Sequence, residues 1–326
     1  MLRGTIGMSR PVILDTDIGS DIDDVYALAL ALRHPEIRLL GVTTVGPFPQ
    51  SRARIAAKLL RLAGREDIPV YSGYAHALPQ ESQLVANRRA KPDSRRYTGL
   101  VESADPEHGQ FYGDAVEFIL SALDGTQEPV AIVGIGGWTN VAEVIRRASP
   151  AQLQRIGLVG MMGGDVHRMR RESNASFDPE ATRTVLEAEL PTFIATWTPS
   201  RKVTYTMDEI QELARGERSP VVDFIYRGTQ MWFRPGQSKP GPVCYDVVPV
   251  FWAAGETDAI SCIKLPTIPV ETKGTFTTGM TVCEPWTIER AERTQEVSGD
   301  FTTVTDDVDG EAMKRRFNEL VFGGSR

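Results

Sequence analysis

The feature that most constrains this chain is an alternation, repeated along most of its length, of short apolar runs with helical stretches. The runs Val12 to Leu14, Leu39 to Val45, Pro129 to Gly134, Ile156 to Met161 and Phe193 to Thr196 read as buried strands. Between them, the stretch from Asp23 onward, Arg52 to Leu62, Asn140 to Arg147 and Glu180 to Glu187 read as helices. The first of these places Val25, Ala27, Leu28, Leu30, Ala31 and Leu32 behind two acids, Asp23 and Asp24, in the first turn, where the helix dipole favours negative charge. Strands alternating with helices predict parallel βαβ units, hence an α/β fold with an open, mostly parallel sheet and helices on both faces. Such sheets bind ligands at the carboxyl ends of their strands. The acidic loop after Leu14 lies at such an end.

Further along, Arg201 to Arg234 reads as mainly helical, Val270 to Val282 as two short strands joined near Lys273-Gly274, and Asp309 to Phe322 as a closing amphipathic helix. No internal repeat and no Gly-, Ser- or Pro-rich linker divides the chain, so residues 1–326 read as a single α/β domain with helical insertions.

Charge and composition narrow the function. With 36 Lys and Arg against 43 Asp and Glu, the net charge of −7 argues against a nucleic-acid partner. Three cysteines (Cys244, Cys262, Cys283) and four histidines (His34, His76, His108, His167), with no CxxC and no paired His, leave neither a disulfide framework nor a Cys/His zinc site. No stretch approaches the roughly 18 apolar residues of a membrane span. The opening MLRGTIGMSR lacks the apolar run of a secretion signal, so a cytoplasmic protein is expected, with chemistry resting on carboxylates.

Asp15, Asp17, Asp21, Asp23 and Asp24 crowd one loop around Gly19. That density is repulsive unless a cation or ligand compensates, and hard oxygen donors suit Ca²⁺ or Mg²⁺. An EF-hand does not fit, because Gly19, Ser20 and Tyr26 stand where that loop needs an acid or amide, a glycine and a glutamate. The Asp-x-Asp after a first strand is also similar to haloacid-dehalogenase-like phosphatases, in which Asp15 would be the nucleophile and Asp17 the acid/base. Nothing in that pattern requires the acid pair Asp23-Asp24.

The stretch DTDIGSDIDDVYAL resembles the amino-terminal fingerprint of the nucleoside hydrolases, the inosine-uridine-preferring ribohydrolases: Asp-x-Asp-x-Gly-x-Asp-Asp before an apolar helix. It carries two more residues between the Gly and the paired acids than the commonest form, which leaves the role of Asp21 open. Further similarities follow in the family's order: GVTTV at 41–45, LAGREDIPVYSG at 62–73, GIGGWTN at 134–140, MMGG at 161–164, ESNASFDPEA at 172–181 and YDVVPVFWA at 245–253. The resemblance implies a nucleoside hydrolase-like fold with a Rossmann-like core, and a Ca²⁺ ion held by Asp17, Asp24, Asp246 and the backbone carbonyl of Ile135. It also implies Asp17 as general base toward a metal-held water, Asp23 on a sugar hydroxyl, Glu172 and Asn174 on the ribose, a small-molecule nucleoside substrate, and a homodimer or homotetramer.

Three positions depart from the family's pattern. Tyr245 stands where members often carry a His that protonates the leaving base; it is open between proton donor, stacking surface and core residue. Phe48 stands where an Asn or Asp usually meets the ribose, and Thr198 where an Asp is common. Trp138 is open between the base pocket and the core, and the basic run HRMRRE reads as a solvated face. The expected activity is Ca²⁺-dependent hydrolysis of the N-glycosidic bond of ribonucleosides to free base and ribose. The alternatives are a non-catalytic nucleoside-binding relative and a Mg²⁺-dependent phosphohydrolase using Asp15 and Asp17.

Overall fold

The computed structural model describes residues 9–78, 111–233, 241–266, 268–283 and 302–323. Its strands are β1 (Arg10–Thr16), β2 (Ile37–Thr44), β3 (Val70–Ser72), β4 (Phe111–Gly113), β5 (Val130–Gly134), β6 (Ile156–Met162), β7 (Thr192–Ala195), β8 (Ile260–Leu265) and β9 (Thr302–Val308). All join one sheet in the order β4-β3-β2-β1-β5-β6-β7-β9-β8. Every pairing is parallel except that of the edge strand β8 with β9.

The helices are α1 (Asp23–Arg33), α2 (Pro49–Leu62), α3 (Ala115–Asp124), α4 (Thr139–Arg147), α5 (Pro150–Leu153), α6 (Ser173–Phe177), α7 (Pro179–Leu186), α8 (Trp197–Ser200), α9 (Met207–Leu213), α10 (Pro220–Trp232), α11 (Val247–Ala254) and α12 (Gly310–Phe317). Side chains alternate across a strand, and β1 shows the result. Val12 and Leu14 join a core built with α1, α2, α10, α11 and α12. Ile13 faces the other way, into a core built with α3, α4 and α7. With both faces covered, β1 is apolar without polar alternation, as buried parallel strands are. Helix α1 is buried around most of its circumference, which explains why Val25, Leu28 and Leu30 are matched by buried Ala27, Ala29 and Ala31.

The strand order reverses direction at β1: β2, β3 and β4 run outward on one side, β5, β6 and β7 on the other. At such a switch point the loops leaving the two central strands diverge and open a crevice. The loops after β1 and β5 are the acidic loop and GIGGWTN.

Within the described part of Arg201 to Arg234, the expected mainly helical character holds, as two separate helices, α9 and α10, while Thr204 bridges antiparallel to Val243. Some expectations need correction. Val270 to Val282 forms a single bridge, Val270 to Thr281, within turns rather than two strands. The closing helix is α-helical only to Phe317 and continues as a π-helical turn, Asn318–Phe322. The chain's first eight residues and His108 lie outside the described residues.

Candidate active site

The acidic loop and the loop after β5 touch through the backbone. The Ile135 amide donates to the Asp15 carbonyl at 2.7 Å. A Cβ on Gly136 would stand 2.8 Å from the Asp17 nitrogen and 2.8 Å from a Val45 methyl, so only glycine lets the two loops meet.

Three carboxylates converge at this crevice. Asp23 and Asp24 enter from the first turn of α1, Asp246 from the residue preceding α11, and one oxygen of each lies within 4.8 Å of the others. All three are buried. Two helix N-termini face the group, which favours negative charge. That is not enough to offset burial: desolvation first, then the charges of neighbouring acids, push all three carboxyls well above the usual carboxylate range. The Thr16 hydroxyl donates to Asp24 Oδ1. The charge of Arg52 offsets the Asp24 shift only in small part, so a metal ion fits this donor set: it supplies the positive charge that the trio still lacks.

Asp17 is not one of that trio. Its carboxylate lies 3.8 Å from Arg52 Nη1, whose guanidinium also donates to the backbone carbonyls of Asp17, Ile18 and Pro47. Arg52 is a buried cation from α2 that pins the acidic loop from beneath. Asp15 is fully buried. Its Oδ1 accepts from Thr43 Oγ1 at 2.6 Å and Asn140 Nδ2 at 2.8 Å, while Oδ2 has no partner, and burial pushes the carboxyl up to about 7. Held by Thr43 and Asn140 in a network that ties neighbouring strands together, Asp15 has a structural role, which argues against it as the nucleophile of the phosphohydrolase alternative.

The ESN segment reaches the same crevice. Asn174 Nδ2 donates to the Ile135 carbonyl at 2.9 Å, so the expected amide and the expected backbone ligand are neighbours. Glu172 is buried and caps α6: Oε1 accepts from Ser173 Oγ and the Asn174 amide, Oε2 from the Gly164 and Ala175 amides, all at 2.8–2.9 Å. Its four acceptor sites are thus in use by protein donors. Gly164, at φ +66°, allows the β6 loop to present its amide there. Trp138 is fully buried, its indole N–H donating to the Met162 carbonyl at 3.2 Å, a core position beneath this loop.

With this geometry in place, the comparison with known proteins is decisive. The profile described as inosine-uridine preferring nucleoside hydrolase matches residues 12–315. The chain belongs to that family.

Members of the family are N-glycoside hydrolases acting on ribonucleosides. This nucleoside hydrolase is 30% identical over 295 residues to the pyrimidine-specific ribonucleoside hydrolase RihA of Shewanella sp. (strain MR-7), spanning 85% of this chain and 87% of that protein. Its fold is similar to the solved Inosine-Guanosine Nucleoside Hydrolase (TM-score 0.80, 21% identity, 96% of this chain and 99% of the other). It is also similar to the Purine-Preferring Ribonucleoside Hydrolase from Gardnerella vaginalis (TM-score 0.79, 21% identity, 96% and 98%). Among the described residues, no helix is long and apolar enough to cross a membrane.

The departures from the family's pattern each have a physical setting. The Tyr245 phenol is buried, with its pKa raised by burial and by the charges of Asp23 and Asp21, so it holds its proton at neutral pH; its ring lies 6.2 Å from that of Trp197 at 18°. Thr198 Oγ1 donates to Asp165 Oδ2 at 2.6 Å, so a buried acid from the β6 loop stands beside the position where an acid is common. Phe48 adopts a left-handed backbone (φ 62°, ψ 51°) just before α2 and is 42% exposed.

Sequence reasoning missed Arg52 and underused Asn140, which was read only as part of a motif. Arg52 lies on the stripe of α2 that buries Ala56 and Leu59, and a cation on such a stripe is the signal that could have found it. Asn140 donates to Asp15 Oδ1 and to the Thr44 carbonyl, and accepts from the Tyr74 amide at 2.9 Å, tying together the carboxyl ends of β1 and β2 and the loop after β3.

Proposed function

We propose that this nucleoside hydrolase cleaves the N-glycosidic bond of ribonucleosides to free base and ribose in a Ca²⁺-dependent reaction. The observation that carries it is the buried trio Asp23, Asp24 and Asp246 at the switch point, whose negative charge Arg52 offsets only in small part. Asp24 and Asp246 would hold the ion, with Asp17 and the Ile135 carbonyl beside them, as the family resemblance implies; Asp23 is then left for a ribose hydroxyl. Bound there, a divalent cation supplies Lewis acidity that lowers the pKa of a coordinated water.

Asp17 takes the proton of the attacking water. Water adds to C1′, the bond from C1′ to the base nitrogen breaks with its electron pair going to the base, and the sugar passes through an oxocarbenium-like state. The surrounding carboxylates stabilise that positive charge as it develops. Asn174 orients the ribose, and Glu172 does so by exchanging its Ser173 hydroxyl contact for one from the sugar. Tyr245 Oη is the protonated group nearest the acid trio in sequence and serves the leaving base as donor or stacking surface. The resemblance also supports a homodimer or homotetramer, to be read by light scattering.

The test is a reducing-sugar assay over inosine, guanosine, adenosine, uridine and cytidine, with and without chelator. Chelator-sensitive ribose release supports the proposal. Nucleoside binding without ribose release would make the chain a non-catalytic relative, and phosphate release from phosphoesters with no ribose from any nucleoside would overturn it. Hydrolysis of p-nitrophenyl riboside with none of inosine would show that Tyr245 does not protonate the base.

A further inference from the structure

The basic run HRMRRE was expected to be a solvated face, and the structure splits it. Arg168 is exposed, and Arg171 Nε donates to the Thr278 carbonyl at 2.8 Å. Arg170 turns inward: its guanidinium carbon stands 3.3 Å from the Trp197 ring centroid. Arg201, one residue after α8, places its own guanidinium carbon 4.4 Å from the same ring. Trp197 in turn lies against Tyr245, the residue next to the metal-trio member Asp246. Two guanidinium groups are therefore held on one indole at the edge of the crevice.

Holding two like charges together costs free energy unless something negative compensates. Among the described residues neither Arg170 nor Arg201 has a carboxylate partner, and Arg170 Nε is buried with no hydrogen-bond acceptor. Both acids of the β6 loop are already engaged, Asp165 by Thr198 Oγ1 and the His167 amide and Glu172 by Ser173 Oγ and the Gly164, Asn174 and Ala175 amides. The Trp197 ring holds both guanidinium groups in place without using up their N–H donors, and a pair of positioned guanidinium groups suits recognition of phosphate or a planar oxyanion.

Resting on the proposed function, we propose that Arg170 and Arg201 form an anion subsite, and that the substrates are ribonucleosides carrying a negatively charged group. The charge can sit on the sugar, as a 5′-phosphate, or on the base, as in an acidic purine. The bond broken is the same in either case; only the substrate's charge differs.

The experiment measures both binding by calorimetry and hydrolysis, using inosine, inosine 5′-monophosphate and xanthosine, whose base is anionic at neutral pH. The proposal predicts at least about 10-fold tighter binding of one anionic ligand than of inosine, weakened by added salt. In Arg170→Gln and Arg201→Gln that preference falls by about 10-fold, and Arg→Lys at the same positions restores part of it. Preference for the monophosphate alone places the charge on the sugar, and for xanthosine alone on the base. Inosine bound as tightly as both anions, or a preference unchanged in both Gln variants, overturns the proposal even if inosine is hydrolysed. Anion-selective binding with no hydrolysis of any riboside would support the subsite and overturn the proposed function instead.

Discussion

The two ends of α1 are built on opposite principles. At its N-terminus, Asp23 and Asp24 meet Asp246, offset only in small part by the charge of Arg52, and all three carboxyls are pushed up by burial and mutual repulsion. At its C-terminus, the buried His34 has Nε2 3.1 Å from Glu256 Oε1, accepts the Glu36 amide on Nδ1, and Glu256 is clamped by Arg316 through contacts of 2.7–3.0 Å. There Glu256 is held below its usual range, first by the Arg316 hydrogen bonds, and burial lowers His34. One end pairs its carboxylate with a cation and contributes stability. The other is frustrated, and frustration of this kind collects at functional sites.

The largest expected effect breaks the frustrated end. Asp246→Asn should lower metal affinity by more than the roughly 10–100-fold typical of losing an outer-sphere partner, abolish measurable ribose release, and raise the melting temperature of the metal-free protein, because it removes a buried acid from a cluster of like charges. Calorimetric melting with and without metal checks both parts. Next, Asp17→Asn should lower kcat by roughly 10²–10⁴-fold if Asp17 is the general base, with metal-induced stabilisation retained in part; steady-state kinetics on the best nucleoside decides.

Smaller effects belong to the paired end. Glu256→Gln should cost on the order of 1 kcal/mol, since the group is partly exposed and screened, while leaving kcat/KM within about twofold. The pH dependences of the two ends have opposite signs. The trio's pKa values are raised on folding, so the metal-free protein binds more protons folded than unfolded, and this end loses stability as pH rises above the ordinary Asp value near 3.9. His34 and Glu256 are lowered on folding, so their end loses stability as pH falls below the ordinary His value near 6.5, and further as Glu256 protonates. Chemical denaturation across pH should show the alkaline loss in metal-free protein, shrinking when metal is added, and the acid-side loss insensitive to metal. An effect of similar size and opposite sign is at Phe48, whose left-handed backbone costs roughly 1–2 kcal/mol for a residue other than Gly, Asn or Asp. Phe48→Asn should gain about 1 kcal/mol in urea denaturation.

The N-terminal end of α1 was legible in the sequence because local spacing wrote it: an apolar run, an acid-rich loop and a helix lie within one short stretch, and the family's motifs add Asp246, Glu172 and Asn174 from afar. The parallel sheet followed from the alternation. What was not legible depended on tertiary contact. Strands β3 and β4 are three residues each, too short for a periodic signal, and β8 alternates weakly as an edge strand. Arg170 and Arg201 look in sequence like any surface arginine, and Arg52 is marked only by its place on the apolar stripe of α2; the fold alone places one under Asp17 and two on Trp197. Glu172, expected on the ribose, caps α6, a role visible only once the Gly164 amide is brought to it.

The central claim is that the trio is completed by a cation. Titrating Ca²⁺ into chelator-treated protein while following its melting temperature tests it directly. A ligand that binds only the folded state adds about 2.7 kcal/mol at 100 times its Kd, a rise of roughly 4 °C for a chain of this size. The account predicts such a rise, lost in Asp246→Asn. A melting temperature indifferent to Ca²⁺ and other divalent cations, with ribose release unaffected by chelator, would contradict it.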